Sequence, residues 1–240
     1  GRRRLVDGIV ASIHTPLGPL FDGRRLRDLP ASDRLAELGF ELRLPSEGTL
    51  PTDRHIGEIL LAHLQADDPF RPWAEQLVAG VFDVKLAGHL NGEIDAVLRV
   101  RVDGRPDRYV VVDYKTNRLH AHGQVPGPDD YGPARMVEQM AAHHYPLQAL
   151  LYSVALHRYL RWRVPGYQPE HHLGGVAYLF VRGMSGEHNL GTPEAPNGVC
   201  SWSLPPAAVV AVSDLLAGRH AAPVDHQGTL FDLAPREGAV

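Results

Sequence analysis

Apolar and polar positions repeat along this chain with two different periods, which predict a mixture of strands and helices. Residues 40–44 alternate between apolar and charged side chains and predict a half-buried strand within 34–45. A continuous apolar run at 174–183 predicts a second, buried strand. Apolar residues at helical spacing predict helices at about 54–66, 72–80, 134–144, 146–163 and 205–217.

The distribution of turn-forming residues predicts how the chain is divided. We expect residues 1–33 to be an N-terminal segment leading into the core and residues 34–220 to be the folded domain. Residues 221–240 are dominated by Pro, Gly and charge and predict a flexible tail. Within the domain, the polar stretch 118–132 predicts a mobile loop.

The segment 91–117 predicts a β-hairpin, because two strand-like runs flank the turn sequence DGRPD at 103–107. One face of this hairpin carries only apolar residues, and that face fixes the register of the two strands. The apolar stripe consists of Ile94, Ala96, Leu98, Val100, Val102, Val110 and Val112.

The opposite face of the hairpin gathers charged residues. If Val102 faces Arg108, Asp95 lies opposite Lys115 and Asp113 sits diagonally beside both. Two adjacent carboxylates repel unless a cation joins them, and oxygen ligands suit Mg²⁺ or Mn²⁺. Such an ion beside an ammonium can activate water for phosphodiester hydrolysis. The alternative is a surface ion pair at the edge of a sheet.

Composition limits what such a site can be. The chain has 240 residues, 44% of them hydrophobic, which is enough for a substantial core. Its single cysteine excludes a disulfide framework, a cysteine-rich zinc site and an iron–sulfur cluster, and fits a cytoplasmic location. We find no membrane-spanning run and no signal peptide, so we expect no membrane partner. The formal charge of −4 argues against binding to DNA by bulk charge alone.

Lysine is rare in this chain. Of 24 basic residues only Lys85 and Lys115 are lysines, a bias typical of a high-GC bacterial genome that encodes its cations as arginine. Lys115 therefore indicates a position that requires a compact ammonium whose pKa can shift.

The charged residues of the hairpin belong to motifs that occur together in one family. GEID and VVVDYKTN, followed by HYPLQALLY and by PEHHLGGVAYLFVRGM, resemble the RecB-like branch of the PD-(D/E)xK nuclease superfamily. The last block resembles the C-terminal nuclease domain of RecB proteins, and the match spans about 35–217. The resemblance implies a restriction-endonuclease-like α/β core, a central mixed β-sheet flanked by helices.

The resemblance assigns roles to the hairpin residues. It implies that Asp95 and Asp113 are metal ligands and that the backbone carbonyl of Tyr114 completes part of the coordination shell. Lys115 would orient or activate the attacking water and balance phosphate charge. The implied ion is Mg²⁺, with Mn²⁺ as an alternative.

Three residues outside the hairpin also match the family. Glu41 matches a glutamate on the first core strand and would contact the metal or its water. Gln148 and Tyr152 form the Q-x-x-x-Y motif, and their i,i+4 spacing on a helix lets them touch the scissile region together. Without the motif, a surface glutamine beside a half-buried tyrosine would be the simpler interpretation.

Two departures from the family indicate a fragment. RecB-like nucleases also bind the metal through a histidine on a helix upstream of the Glu41 strand. Residues 11–19, which include His14, do not look like that helix, and His55 and His63 follow Glu41 instead. The helicase ATP-binding motif G-x-x-x-x-G-K-[ST] is also absent. We therefore expect the parent protein to continue upstream.

The implied function is a DNA exonuclease and endonuclease domain of the RecBCD helicase–nuclease, of the exodeoxyribonuclease V type. It would hydrolyse single-stranded DNA during recombinational repair of double-strand breaks, with RecC and RecD as partner subunits and RecA as a further partner. The alternative, when the chain is isolated from the upstream histidine helix, is a non-catalytic module for protein or DNA binding, serving RecA loading or tethered to the sliding clamp.

The tail suggests one more partner. The sequence HQGTLFDL resembles the clamp-binding pentapeptide of bacteria at Gln227, Leu230 and Phe231, although Gly228 replaces the usual leucine. Short segments of this kind bind by inserting a few apolar anchors into a partner.

Overall fold

Five strands form one mixed sheet surrounded by seven α-helices in the part of the chain that the computed structural model describes, residues 2–47, 50–81, 86–120, 123 and 127–219. The strands are β1 (Arg34–Arg43), β2 (His89–Val100), β3 (Arg108–Lys115), β4 (Leu173–Phe180) and β5 (Val199–Trp202). The helices are α1 (Arg2–His14), α2 (Asp53–His63), α3 (Arg71–Val78), α4 (Pro133–Ala142), α5 (Tyr145–Arg163), α6 (Pro169–His172) and α7 (Pro206–Leu215).

The sheet order is β1-β2-β3-β4-β5, and only the neighbours β3 and β4 run parallel. Helices α4, α5 and α6 lie in the long connection between these two parallel strands, as a parallel crossover requires. This arrangement confirms the predicted α/β class with a mixed sheet flanked by helices.

Three elements that we did not predict are present: helix α1, the four-residue helix α6 and strand β5. Helix α1 ends at His14, within residues 11–19, and the expectation that this segment is not the family's metal-binding histidine helix stays a prediction. Helix α1 lacks the acidic residues that often mark the first turn of a helix. Many of its apolar residues are exposed, so its sequence does not show a distinct core-facing side either. Strand β5 has four residues, too few for an alternation to be recognised.

The predicted hairpin is confirmed, but its predicted register is wrong by two residues. Ala96 pairs with Val112, and continuing this register by one residue brings Asp95 opposite Asp113, where we expected Lys115. The cause is a longer turn than predicted. A shift of two residues leaves every side chain on its own face, so the shared face of Asp113 and Lys115 is unaffected.

Two apolar clusters cover the two faces of the sheet. The larger lies between the sheet and helices α2, α3, α4, α5 and α7. The smaller joins residues 17–29 to the opposite face of strands β2, β3 and β4. Much of the N-terminal segment is thus part of the core, and the boundary at residue 33 stays a prediction. Within the described residues, no helix combines the length and the apolar character needed to cross a bilayer.

His157 on α5 gives the fold a pH-dependent stability. Burial lowers the pKa of its ring and Arg161 acts in the same direction, while Asp214 and Glu170 oppose them. As pH falls below about 6.5, the unfolded chain takes up this proton before the folded chain does. The stability that neutral His157 provides is therefore full above this pH and decreases below it. We expect the Tm to fall between about pH 7.5 and about pH 5.5 more steeply for the wild type than for His157→Gln.

The exposed His171→Gln is the control for this measurement by thermal unfolding, since its ring lies at the surface. It should follow the wild-type curve. If Tm fell equally steeply with pH in His157→Gln and in the wild type, the pKa of His157 would be the same in the folded and the unfolded chain.

Candidate active site

The β2–β3 ladder ends where the candidate site begins. Ala96 and Val112 form its last pair, and the two strands separate beyond them. Oδ2 of Asp95 takes the place of a strand carbonyl there and accepts a hydrogen bond of 2.8 Å from the backbone N–H of Tyr114. This bond holds the Asp95 carboxylate at the gap between the strands, close enough to act on the charge of Asp113.

Strand β2 also changes face at Asp95. Ile94 belongs to the larger apolar cluster and Ala96 to the smaller, although residues two apart share a face in a regular strand. The prediction that Ile94 belongs to the same apolar stripe as Ala96 is therefore wrong. On β1, Glu37 lies in register with Asp95 and has a φ of 54°, in the left-handed region. Such irregularities redirect side chains at functional sites.

Asp113 is a buried carboxylate, with only 3% of the residue exposed. Its Oδ2 lies 2.8 Å from the Lys115 ammonium but makes no hydrogen bond of good geometry. Burial raises the pKa of Asp113, Lys115 lowers it in part, and the charge of Asp95 raises it further. One ammonium thus pairs with Asp113 while the nearby Asp95 adds a second negative charge, and the site favours an additional cation.

Lys115 is enclosed on several sides. Its Nζ donates a hydrogen bond of 3.3 Å to Oε1 of Gln148. The same nitrogen lies over the rings of Tyr145 and Tyr178, at 4.0 Å and 5.1 Å from their centroids. Aromatic faces attract a cation that is partly withdrawn from water. The enclosure suits a compact ammonium better than a planar guanidinium, which explains the lysine in an arginine-rich chain.

Gln148 connects Lys115 to two tyrosine hydroxyls. Its Oε1 also accepts a hydrogen bond of 3.0 Å from Tyr178, and its Nε2 donates one of 2.9 Å to the hydroxyl of Tyr152. Gln148 and Tyr152 are one turn apart on α5, as their spacing predicted. Burial, followed by the charges of the nearby carboxylates, raises the pKa of Tyr152 to about 12, so its hydroxyl stays neutral.

This network predicts unequal effects for its two members. Gln148→Ala removes a hydrogen bond to a charged group, worth about 1.5–3 kcal/mol, and should lower kcat about 10- to 150-fold. Tyr152→Phe removes only a neutral hydrogen bond and keeps the ring that packs edge-on against Phe40. It should lower kcat by less than about tenfold. A larger loss for Tyr152→Phe than for Gln148→Ala would mean that the Tyr152 hydroxyl contacts the substrate directly.

Tyr145 and Tyr178 are site residues that our sequence analysis missed. Tyr145 precedes Gln148 by three residues, so helical spacing could have placed the two on one face. Tyr178 reaches the site because β4 pairs in parallel with β3 and sets it beside Asp113. No local pattern indicates that long-range pairing.

Glu41 does not join this group in the structure. It is exposed on β1, and its Oε1 lies 2.6 Å from Nδ1 of His89. Across the described ranges, no hydrogen bond or ion pair links Glu41 to Asp95 or Asp113. Its contact with a metal or a metal-bound water stays a prediction.

The remaining predicted residues lie elsewhere. The tail residues Gln227, Leu230 and Phe231 are outside the described residues, so the clamp-binding hypothesis stays a prediction. His14 ends helix α1 with its ring 3.2 Å from the Arg27 guanidinium.

The carboxylate pair fits a hard divalent cation. The buried Oδ2 of Asp113 lacks a well-formed hydrogen bond, and carboxylate oxygen is the ligand that Mg²⁺ prefers. Among the side chains that the structure describes, no three His, Cys, Asp or Glu residues are grouped to hold a metal. An ion bound by Asp95 and Asp113 would therefore complete its shell with water and substrate phosphate. Ligation by the Tyr114 carbonyl stays a prediction.

The fold and the site together are typical of one class of protein. These are nucleases with a mixed β-sheet in which two carboxylates and a lysine lie where two neighbouring strands separate. A family model described as the PD-(D/E)XK nuclease superfamily matches residues 25–198, and the chain belongs to that superfamily. Nucleases of this superfamily use divalent metal ions. The resemblance inferred from the motifs is thereby confirmed.

The similar proteins found by comparison are named RecBCD enzyme subunit RecB. The chain is 48% identical to the RecB subunit of Mycolicibacterium smegmatis over 221 residues. These residues cover 88% of this chain and 20% of that protein. Identity to the Mycobacterium tuberculosis H37Rv protein is 49% over 208 residues, which cover 84% of this chain and 18% of that protein. Identity to the Escherichia coli K12 protein is 36% over 187 residues, which cover 77% of this chain and 14% of that protein. The chain thus spans a fifth or less of these relatives.

Proposed function

We propose that this chain is a metal-dependent deoxyribonuclease domain that hydrolyses phosphodiester bonds of single-stranded DNA, with Mg²⁺ as its ion. The supporting observation is the buried Asp113–Lys115 pair beside Asp95 at the gap between β2 and β3. Replacing a buried ion pair by apolar residues is often neutral or stabilising, so stability alone does not account for such a pair. Titratable groups held in this way are typical of functional sites.

Each charged residue has a distinct task in this proposal. Asp95 and Asp113 hold the ion, which when bound lowers the pKa of a coordinated water and polarises the phosphate. Lys115 orients the attacking water and places a positive charge where phosphate charge develops. Gln148 and the rings of Tyr145 and Tyr178 keep the ammonium in position before the substrate arrives. Mn²⁺ accepts similar ligands and is expected to replace Mg²⁺.

The relatives extend the proposal to an assembly, because their names place them in the RecBCD enzyme. The chain would act in the cytoplasm as an exodeoxyribonuclease V type nuclease, with RecC and RecD as partner subunits, in recombinational repair of double-strand breaks. RecA is a further proposed partner. The sliding clamp is another, through Gln227, Leu230 and Phe231.

Digestion of fluorescently labelled linear single-stranded DNA by the 240-residue chain tests the proposal. We expect shortening of the strand at millimolar Mg²⁺, none with a chelator, and recovery with Mn²⁺. A folded chain that binds DNA but cuts none with either ion would contradict the proposal and favour a non-catalytic interaction module.

A further inference from the structure

An open groove of about 1170 Å³ lies between helix α1 and the carboxyl ends of the parallel strands β3 and β4. It exceeds the roughly 300–1,000 Å³ of typical small-molecule pockets and suits an extended ligand. Tyr114, which lies between Asp113 and Lys115 in the sequence, lines the groove and is 41% exposed. Because strand side chains alternate, the Tyr114 ring lies on the sheet face opposite to Asp113 and Lys115. The groove therefore reaches the same end of β3 as the candidate active site, from the opposite face of the sheet.

One wall of the groove is apolar although it faces solvent. Leu5, Ile9 and Ile13 of α1 line it, and Ile9 is 55% exposed. Large aliphatic side chains grouped on one exposed helix face usually mark a surface that contacts a ligand or a partner. Val10 of the same helix is also exposed, at 46%, but lies outside the groove.

The other wall is basic. Arg118 and Arg182 follow β3 and β4 and line the groove, together with Arg27 and Arg34. Nε of Arg182 donates a hydrogen bond of 2.8 Å to the carbonyl of Thr116, which holds its guanidinium in place. Among the described lining residues none is acidic, although the whole chain carries a formal charge of −4. The groove therefore has the charge complementary to a polyanion.

We propose that this groove binds unpaired nucleotides of the DNA strand that is cut, with bases against α1 and phosphates against Arg118 and Arg182. The inference rests on the proposed nuclease function and gives a physical cause for preferring single strands. In a duplex the bases are paired and stacked inside, so they cannot contact an apolar wall. A single strand presents bases and phosphates at the same time, and Tyr114 adds a ring for stacking.

The apolar wall is tested by a matched pair of substitutions on one helix. Fluorescence anisotropy of a labelled oligothymidine of about twenty nucleotides, with metal chelated, reports binding without cleavage. Ile9→Asn should weaken binding about 3- to 10-fold because it places an amide against the bases. Val10→Asn changes a similarly exposed side chain outside the groove and should leave the affinity unchanged. Circular dichroism of both variants verifies that α1 remains folded.

The basic wall is tested in the same assay. Arg118→Ala should weaken binding about 3- to 10-fold and make the slope of log affinity against log salt less negative by about 0.7. Arg105→Ala, at the exposed turn of the hairpin, should change neither quantity. A duplex of equal length should bind more weakly and respond little to Ile9→Asn.

The proposal is overturned if the chain does not bind the oligothymidine, if Ile9→Asn and Val10→Asn bind alike, or if duplex binds as well as single strand. In that case α1 is better explained as a surface for docking a protein. Because the assay contains no metal, its result is independent of cleavage. Intact groove-dependent binding without cutting would contradict the nuclease function alone, and cutting without groove-dependent binding would contradict this inference alone.

Discussion

Replacing Asp113 by asparagine is expected to lower metal-dependent cleavage at least about a thousandfold, which corresponds to about 4 kcal/mol of activation free energy. A neutral amide cannot balance the charge of a divalent ion, so the ion and its activated water are lost. Lys115→Met should cause a loss of similar order, because it removes the ammonium but keeps the length of the side chain. Initial rates on labelled single-stranded DNA at saturating Mg²⁺ measure both effects.

The same substitutions should affect stability in a different pattern. Asp113 and Lys115 are both largely buried, so each single variant leaves the other charge without its partner. The expected cost is up to about 3–5 kcal/mol of the free energy of unfolding. The double variant Asp113→Asn/Lys115→Met leaves no unpaired charge and should return to within about 1 kcal/mol of the wild type or exceed it. It should nevertheless remain inactive.

Urea denaturation of the wild type, the two single variants and the double variant measures these free energies of unfolding. Asp103→Asn at the exposed hairpin turn is the control. The control should match the wild type in both rate and stability. Cleavage by Asp113→Asn would show that the site is assigned incorrectly. If the destabilisation of the double variant equalled the sum of the two single effects, the two charges would not be coupled, and their burial together would no longer indicate a functional pair.

The charged pair itself could be predicted from one strand because its signals are local. Three valines end in Asp113, and alternation places Lys115 on the same side whatever strand lies next to it. The position of Asp95 depends on the register, which the apolar stripe determines only to within multiples of two residues. The length of the turn decides among these registers, and its sequence does not specify that length.

The surroundings of Lys115 depend on contacts that no local pattern contains. Tyr178 arrives through the parallel pairing of β3 with β4, and Gln148 through the packing of α5 across the sheet. The Q-x-x-x-Y spacing places Gln148 and Tyr152 on one helix face, but family resemblance alone indicates that this face meets Lys115. The irregularity that separates Ile94 from Ala96 is likewise a tertiary feature, since both residues continue one alternation in the sequence.

The N-terminal segment shows the same limit, because residues 17–29 bury isolated apolar side chains from short turns rather than from a periodic element. Its importance can be measured. Phe21→Ala should cost about 3–5 kcal/mol of the free energy of unfolding, because Phe21 is 0% exposed and belongs to the smaller cluster with Val110 and Val112 of β3. This is a large part of the roughly 5–15 kcal/mol that stabilises a typical domain.

Val10→Ala is the control for this change, since its side chain is half exposed on α1 and should cost less than about 0.5 kcal/mol. Urea denaturation compares the two variants. Phe21 belongs to the cluster on the sheet face opposite to Asp113, so Phe21→Ala should reduce cleavage only by the fraction of chain that is unfolded. A cost below about 1 kcal/mol would mean that residues 17–29 merely lead into the domain, whereas the expected cost makes them one layer of the nuclease core.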